Sequence, residues 1–180
     1  PAKMTIEIHT PRLILRSPRT DDLNEIQAAK EAVWEDLQTW MSWAYDNQKG
    51  SDATAAFIAD QAVHRPLVAF DKADGRFAVS TGIYVDEENG AFSTGYWAAR
   101  DKRGKGFAEE ATNAAIRYAF DHMKMRRADI NYYADNIPSR RIIEKLGFTY
   151  IRTDVGGHKR CSDGAPMDVH IYEMADPSVL

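Results

Sequence analysis

Gly95-Tyr-Trp-Ala-Ala-Arg-Asp-Lys-Arg-Gly-Lys-Gly-Phe-Ala-Glu-Glu110 is the stretch on which the reading of this 180-residue chain turns. It begins as an apolar strand, passes through a loop crowded with glycine, lysine and arginine, and opens a helix rich in alanine. Backbone N–H groups at a helix start lack intrahelical acceptors, and the aligned peptide dipoles leave that end positive. Such an end suits an anion. Gly104 and Gly106 would let a phosphate approach closely because no Cβ intervenes, and Arg103 and Lys105 would add full charges beside it. The spacing is not that of a P-loop, since G-x-x-x-x-G-K-[S/T] is absent. As a dinucleotide fingerprint it fails at the third glycine, where Glu109 stands. On the loop alone, a helix start with a solvated loop reads equally well.

Upstream of this stretch the chain reads as antiparallel hairpins. Leu67 to Asp71, Arg76 to Val85 and Ala91 to Ala99 have strand texture, separated by turn signals at Lys72–Gly75 and Asp86–Gly90. Further back, Arg12–Arg16 predicts a first strand, Thr20 a helix cap, and about Asp52 to His64 another helix that ends before Pro66. Downstream, Lys105 to His122 predicts a long helix with Ala108, Ala111, Ala115 and Ala119 on one stripe. Ala128–Ala134 predicts a strand, Pro138–Leu146 a helix stopped by Gly147, and Phe148–Thr153 and Val169–Met174 closing strands. One mixed α/β domain over residues 1–180 is expected.

Bulk composition narrows the function classes. Residues 1–99 carry 9 Lys/Arg against 15 Asp/Glu, whereas residues 100–160 carry 14 against 8. A basic segment inside an otherwise acidic chain fits a local anionic ligand better than nucleic acid, which wants a broader basic face. The apolar runs are too short to span a membrane. Pro1–Thr10 lacks the regions of a signal peptide, and the lone Cys161 cannot form an internal disulfide, so a cytoplasmic location is expected. The five histidines are scattered without metal-ligand spacing, and no metal is expected.

Several segments together resemble the GNAT superfamily of N-acetyltransferases, in its RimJ/RimL-type branch. Arg103-x-x-Gly106-x-Ala108 fits that family's Q/R-x-x-G-x-G/A pyrophosphate motif. Ala134-Asp-Asn-Ile-Pro-Ser-Arg-Arg-Ile-Ile-Glu-Lys-Leu-Gly-Phe148, the opening Thr10-Pro-Arg-Leu-Ile-Leu-Arg16 and the ending Asp168-Val-His-Ile-Tyr-Glu-Met174 resemble the branch as well. The resemblance implies a splayed, mixed, mostly antiparallel sheet of about seven strands flanked by helices. It implies acetyl-CoA as co-substrate and an amine as acceptor, with no nucleic acid or membrane partner; homodimers are common among such proteins. The pantetheine arm would pair with the strand Trp97-Ala98-Ala99, and an N–H near Ala98 would steady the oxyanion. The pyrophosphate would sit on Arg103, Gly104, Lys105, Gly106, Phe107 and Ala108, with Asn136, Ser139 and Arg141 as further contacts.

The catalytic residues depart from the family's commonest pattern. The tyrosine that serves the leaving thiolate in many members is Ile143 here, and by position Ser139 is the substitute. Ser139 reads equally well as a helix-start residue that bonds backbone or cofactor. No general base is evident: Ser93 and Thr94 stand where a glutamate often precedes the Gly-Tyr-Trp motif, which leaves His158, Asp168 and His170 as weak candidates. An α-amine titrates about 2.5 units below a lysine, worth roughly 3.5 kcal/mol in reaching the neutral nucleophile. A site without a strong base therefore suits the α-amine of a protein or peptide N-terminus. A small-molecule amine (amino acid, polyamine, antibiotic or toxin) and a non-catalytic acyl-CoA-binding module are the alternatives. Trp40, Trp43 and Tyr84 are the expected acceptor contacts, and the acidic balance of residues 1–99 favours a cationic acceptor.

Overall fold

The computed structural model describes residues 5–180; residues 1–4, part of the stretch read for a targeting signal, lie outside them. Among the described residues nine strands form one sheet: β1 (Glu7–His9), β2 (Leu13–Arg16), β3 (Arg65–Asp71), β4 (Phe77–Asp86), β5 (Ala91–Ser93), β6 (Tyr96–Ala98), β7 (Arg127–Tyr133), β8 (Thr149–Lys159) and β9 (Pro166–Met174). The helices are α1 (Leu23–Ala32), α2 (Trp34–Trp40), α3 (Ser51–Ala59), α4 (Phe107–Asp121) and α5 (Ile137–Lys145). The strand order is β1-β2-β3-β4-β5-β7-β9-β8, with β6 paired to β4 off this path. Among the described residues only β5 and β7 pair in parallel. Two apolar layers sandwich the sheet. On one side Ala111, Ala115 and Ala119, all fully buried, bring α4 close to the strands; on the other Ile26, Trp34, Leu37 and Ile58 pack α1–α3 against Val68, Phe77 and Trp97.

The sheet is larger than the seven strands expected. A short β1 precedes Thr10, and the segment Ala91–Ala99, read as one strand, is broken in two at Thr94-Gly95. α3 stops at Ala59, five residues before the expected end: Asp60 leaves the helical conformation at ψ +73, and the Ile58 carbonyl accepts the Gln61 side-chain amide at 2.7 Å where a continuing helix would give it the Ala62 N–H. Thr20 makes no cap bond. Asp22 takes that part: its carboxylate accepts the Arg19 N–H at 2.7 Å and both Arg16 guanidinium nitrogens at 2.7 and 2.8 Å. Burial works to raise the Asp22 pKa, and these donors override it and hold the group below its usual range. Pro66 falls inside β3, but past the end of β2, where β3 has only β4 beside it. Gly147, at φ +90, ends α5 as expected.

Candidate active site

The site arises where β4 changes partner. Its residues Val79–Thr81 pair with β6, whereas Tyr84–Asp86 pair with β5. β5 then pairs with Arg127–Asp129 of β7, and the Thr94 N–H adds one more bond to the Asp129 carbonyl at 3.1 Å. Beyond that point β6 and β7 part, and β6 keeps only β4 as its neighbour. Two buried threonines brace the split. Thr94 Oγ1 donates to the Gly82 carbonyl at 2.8 Å, and Thr81 Oγ1 donates to the Gly95 carbonyl at 2.7 Å. These bonds stand in for ladder bonds that the break removes.

Along β6 the direction of the backbone groups follows from one bond. The Ala99 N–H donates to the Ala78 carbonyl at 2.8 Å, so Ala99 and, by strand alternation, Trp97 face β4. The Ala98 N–H therefore faces the gap. Of the three strand residues expected to meet a cofactor arm, Ala98 is the one whose amide points toward it; Ala99 and Trp97 spend theirs on β4. Both are buried, and Trp97 lies 5.4 Å from Phe77 in the core.

The start of α4 lies just past β6. Gly104 (φ +72) and Gly106 (φ +78, the helix N-cap) both take the left-handed conformation that glycine allows without strain. A Cβ on Gly104 would meet nothing within 4 Å, and one on Gly106 would meet only Arg12 Nη2, at 3.3 Å. Among the described residues, the amides of Gly106, Phe107, Ala108 and Glu109 donate to no hydrogen-bond acceptor. That is the four-donor crown of an uncapped helix start, and it fits an anion. Arg12 clamps the loop from outside, donating to the Lys105 carbonyl at 2.7 Å and to Glu110 at 2.8 Å.

The positive charge of this loop is more committed than its sequence suggests. Lys102 is 4% exposed and bonds Asp71 and Asp74 at 2.9 and 2.5 Å, fastening the β3–β4 turn. Arg100 bonds the Ala32 carbonyl, and Arg103 pairs with Asp36 of α2 at 2.8 Å. Lys105 makes no ion pair among the described residues. The backbone amides and Lys105 thus carry most of the attraction for an anion, with Arg103 shared with α2. Phe107 turns its ring into the core beneath Arg12, so only its amide faces outward. Arg141 is exposed on α5.

A cavity of about 550 Å³ opens from the gap toward α1–α3. It brings together six residues named from sequence: Trp40, Trp43, Tyr84, Trp97, Asn136 and Ser139. Asn136 caps α5, its side-chain oxygen accepting the Ser139 N–H at 3.4 Å. Tyr84 folds its ring over Gly82, so close that a Cβ there would lie 3.0 Å from the ring. The acidic balance of the N-terminal half does not converge here. Among the described residues, Asp60 is the one carboxylate of the wall and Lys30 its one cation, with its ammonium on the Gln48 and Gly50 carbonyls at 2.8 and 3.3 Å. None of the three weak base candidates reaches the wall. His170 Nδ1 bonds Thr153 Oγ1 at 2.8 Å, Asp168 accepts the Gly156 N–H at 3.0 Å, and burial lowers the pKa of His158, whose ring lies 4.9 Å from Tyr133.

The splayed pair of strands and the open helix start agree with what the chain matches. The acetyltransferase (GNAT) domain family aligns with residues 12–149. The chain belongs to the GNAT acetyltransferase family. The N-acetyltransferase p20 of Bacillus licheniformis is 36% identical over 64 residues, 36% of each chain. YkkB of Bacillus subtilis is 28% identical over 116 residues, 63% of this chain and 61% of its own. The matched stretches therefore span about a third and three fifths of those relatives. Among solved structures, RimL, a ribosomal L7/L12 alpha-N-protein acetyltransferase in complex with coenzyme A, superposes with a TM-score of 0.86 at 16% identity, covering 96% of this chain and 99% of its own. The microcin C7 self-immunity acetyltransferase MccE, in complex with acetyl-CoA and AMP, gives 0.81 at 20% identity over 93% and 94%.

Within this GNAT fold the sequence reading passed over three features. The phenol of Tyr96 lies 2.8 Å from Ser139 Oγ. Thr81 and Thr94 brace the split, and Cys161 Sγ donates to the Met41 carbonyl at 3.2 Å, tying the β8–β9 loop to the cavity rim. The Gly-Tyr-Trp run signalled the first; nothing local signals the other two, whose partners lie 12 to 120 residues away.

Proposed function

We propose that this chain transfers an acetyl group from acetyl-CoA to a primary α-amine, that of a protein or peptide N-terminus, by direct attack within a ternary complex. The observation that carries this reading is the combination of free amides at the start of α4, the gap-facing Ala98 N–H, and a cavity whose described wall holds no histidine and a single carboxylate, Asp60. The amides of Gly106 to Glu109, with Lys105 and Arg103, would hold the diphosphate, and the β6 edge would pair with the pantetheine arm. Bound acetyl-CoA supplies the thioester carbonyl carbon that the amine attacks. The Ala98 N–H would stabilise the oxyanion, and Ser139 would donate a hydrogen bond to the departing sulfur. One proton leaves the nitrogen for solvent as the N–C bond forms, and the sulfur departs as a thiolate that takes the electron pair of the broken C–S bond. With no histidine in the described wall and Asp60 its one carboxylate, an amine already partly neutral at pH 7 is favoured over a lysine side chain. Trp40, Trp43 and Tyr84 would contact the acceptor.

Initial rates of thiol release test this on two peptides, one with a free N-terminus and no lysine, the other N-blocked with an internal lysine. The first should react and the second should lag at least tenfold at pH 7; equal rates would overturn the α-amine reading. A second reading, a small-molecule amine, is favoured by the size of the cavity, which falls in the range of small-ligand sites. Faster turnover on free amines than on any peptide would establish it.

A further inference from the structure

We infer that Tyr96 is a positioning residue that holds the Ser139 hydroxyl ready to serve the leaving sulfur; this rests on the acetyl-transfer reading above. Tyr96 opens β6 on one side of the parted strands, and Ser139 sits in the first turn of α5, just after β7, on the other. Their hydroxyl oxygens are 2.8 Å apart, so this hydrogen bond spans the gap. Both residues line the cavity. Ile143, one turn further along α5, is fully buried and offers no polar atom, so a phenol from the facing strand is the aromatic hydroxyl within reach of Ser139.

The direction of that bond decides what Ser139 can do. A hydroxyl has one proton to give. If Ser139 gives it to Tyr96, or back to a carbonyl of the preceding turn, nothing remains for the substrate. If Tyr96 is the donor, one lone pair of Ser139 Oγ is occupied and the serine proton is free to point into the gap. Burial pushes the Tyr96 pKa up to about 12, more than its bond to Ser139 lowers it, so the phenol keeps its proton at any pH where the enzyme would work. A sulfur gaining negative charge selects the second direction, because hydrogen bonds to charged acceptors are the stronger ones. Tyr96 loses no proton in this arrangement. It donates to Ser139 Oγ, whose O–H donates to the sulfur that carries the electron pair of the broken C–S bond; the proton shed by the amine nitrogen balances the thiolate.

Three variants test this: Tyr96→Phe, which keeps the ring, Ser139→Ala, and the pair. Tyr96→Phe should lower kcat about tenfold, with the KM for acetyl-CoA unchanged, as expected for one hydrogen bond lost chiefly in the transition state. The double variant should be no slower than Ser139→Ala, since Tyr96 acts through Ser139. A second readout needs no acceptor: the thiol of bound CoA, titrated by thiolate absorbance, should move up by about one unit in Tyr96→Phe and in Ser139→Ala alike. Rate losses that multiply in the double variant, or a bound thiol whose titration ignores Tyr96→Phe, would reduce Tyr96 to packing. A wild-type protein that releases no thiol to any amine would defeat the acetyl-transfer reading, while the thiol titration would still decide the role of Tyr96.

Discussion

Gly106→Ala is the perturbation whose consequences follow most fully from the geometry. Gly106 is the N-cap of α4 at φ +78 and ψ +9, a conformation that costs a residue bearing a Cβ about 1–2 kcal/mol. The alanine recovers roughly 0.4–1 kcal/mol by restricting the unfolded chain. The net loss of about 1 kcal/mol should lower Tm by about 2–4 °C in a protein of this size. Gly104→Ala carries the same backbone cost at φ +72. The two differ in what the new methyl meets: open space at 104, but Arg12 Nη2 at 3.3 Å at 106, where the guanidinium clamps the Lys105 carbonyl. The methyl at 106 also stands where a phosphate would approach the amide crown. Losing one amide–phosphate hydrogen bond costs about 1.5–3 kcal/mol, a rise in Kd for CoA of roughly 10- to 150-fold. Thermal unfolding and titration calorimetry with CoA on both variants read the two effects separately. Unchanged CoA affinity in Gly106→Ala, despite the expected fall in Tm, would refute the placement of the diphosphate.

Thr94→Val removes the hydroxyl that serves the Gly82 carbonyl at the split, and should cost about 1–3 kcal/mol, read by chemical denaturation. Gly82→Ala pushes on the far end of the Tyr84 ring, 3.0 Å away; it should leave Tm nearly unchanged but shift the KM of the acceptor several-fold, with that of acetyl-CoA unaffected. Asp22 and Glu110 both have lowered pKa values: in each, burial acts upward and is outweighed, by Arg16 and Arg19 for Asp22 and by Thr10 and Arg12 for Glu110. Their stabilisation is complete above the ordinary carboxylate range near pH 4 and is lost as pH falls through the lower folded values. Asp22→Asn should therefore flatten the acid limb of a Tm-against-pH curve; an unaltered limb would count against the Arg16–Asp22 pair as its source.

The loop and helix at the heart of the site were legible because they are local. A strand, two glycines and an alanine stripe announce themselves between Tyr96 and Ala119, and Gly147 and Asn136 mark the ends of α5 by the same short-range chemistry. Where partners lie far apart, the sequence was silent. Ala91–Ala99 has continuous strand texture, and its break at Thr94-Gly95 depends on which neighbour β4 chooses, information held in Thr81 and Gly82. The charge of Arg103 counted toward an anion site in the sequence, yet its carboxylate partner, Asp36, lies 67 residues earlier, and Lys102 of the same loop is held by Asp71 and Asp74, 31 and 28 residues earlier. Tyr96 and Ser139, 43 residues apart, meet only because the strands between them part.

Amide chemical-shift mapping during a titration with CoA addresses the docking of the cofactor directly. On nitrogen-15-labelled protein the largest shifts should fall on Gly104 to Glu109 and on Ala98, with Ala99, whose N–H is held by Ala78, moving less. Shifts concentrated elsewhere, with the amides at the start of α4 undisturbed at saturation, would contradict the account.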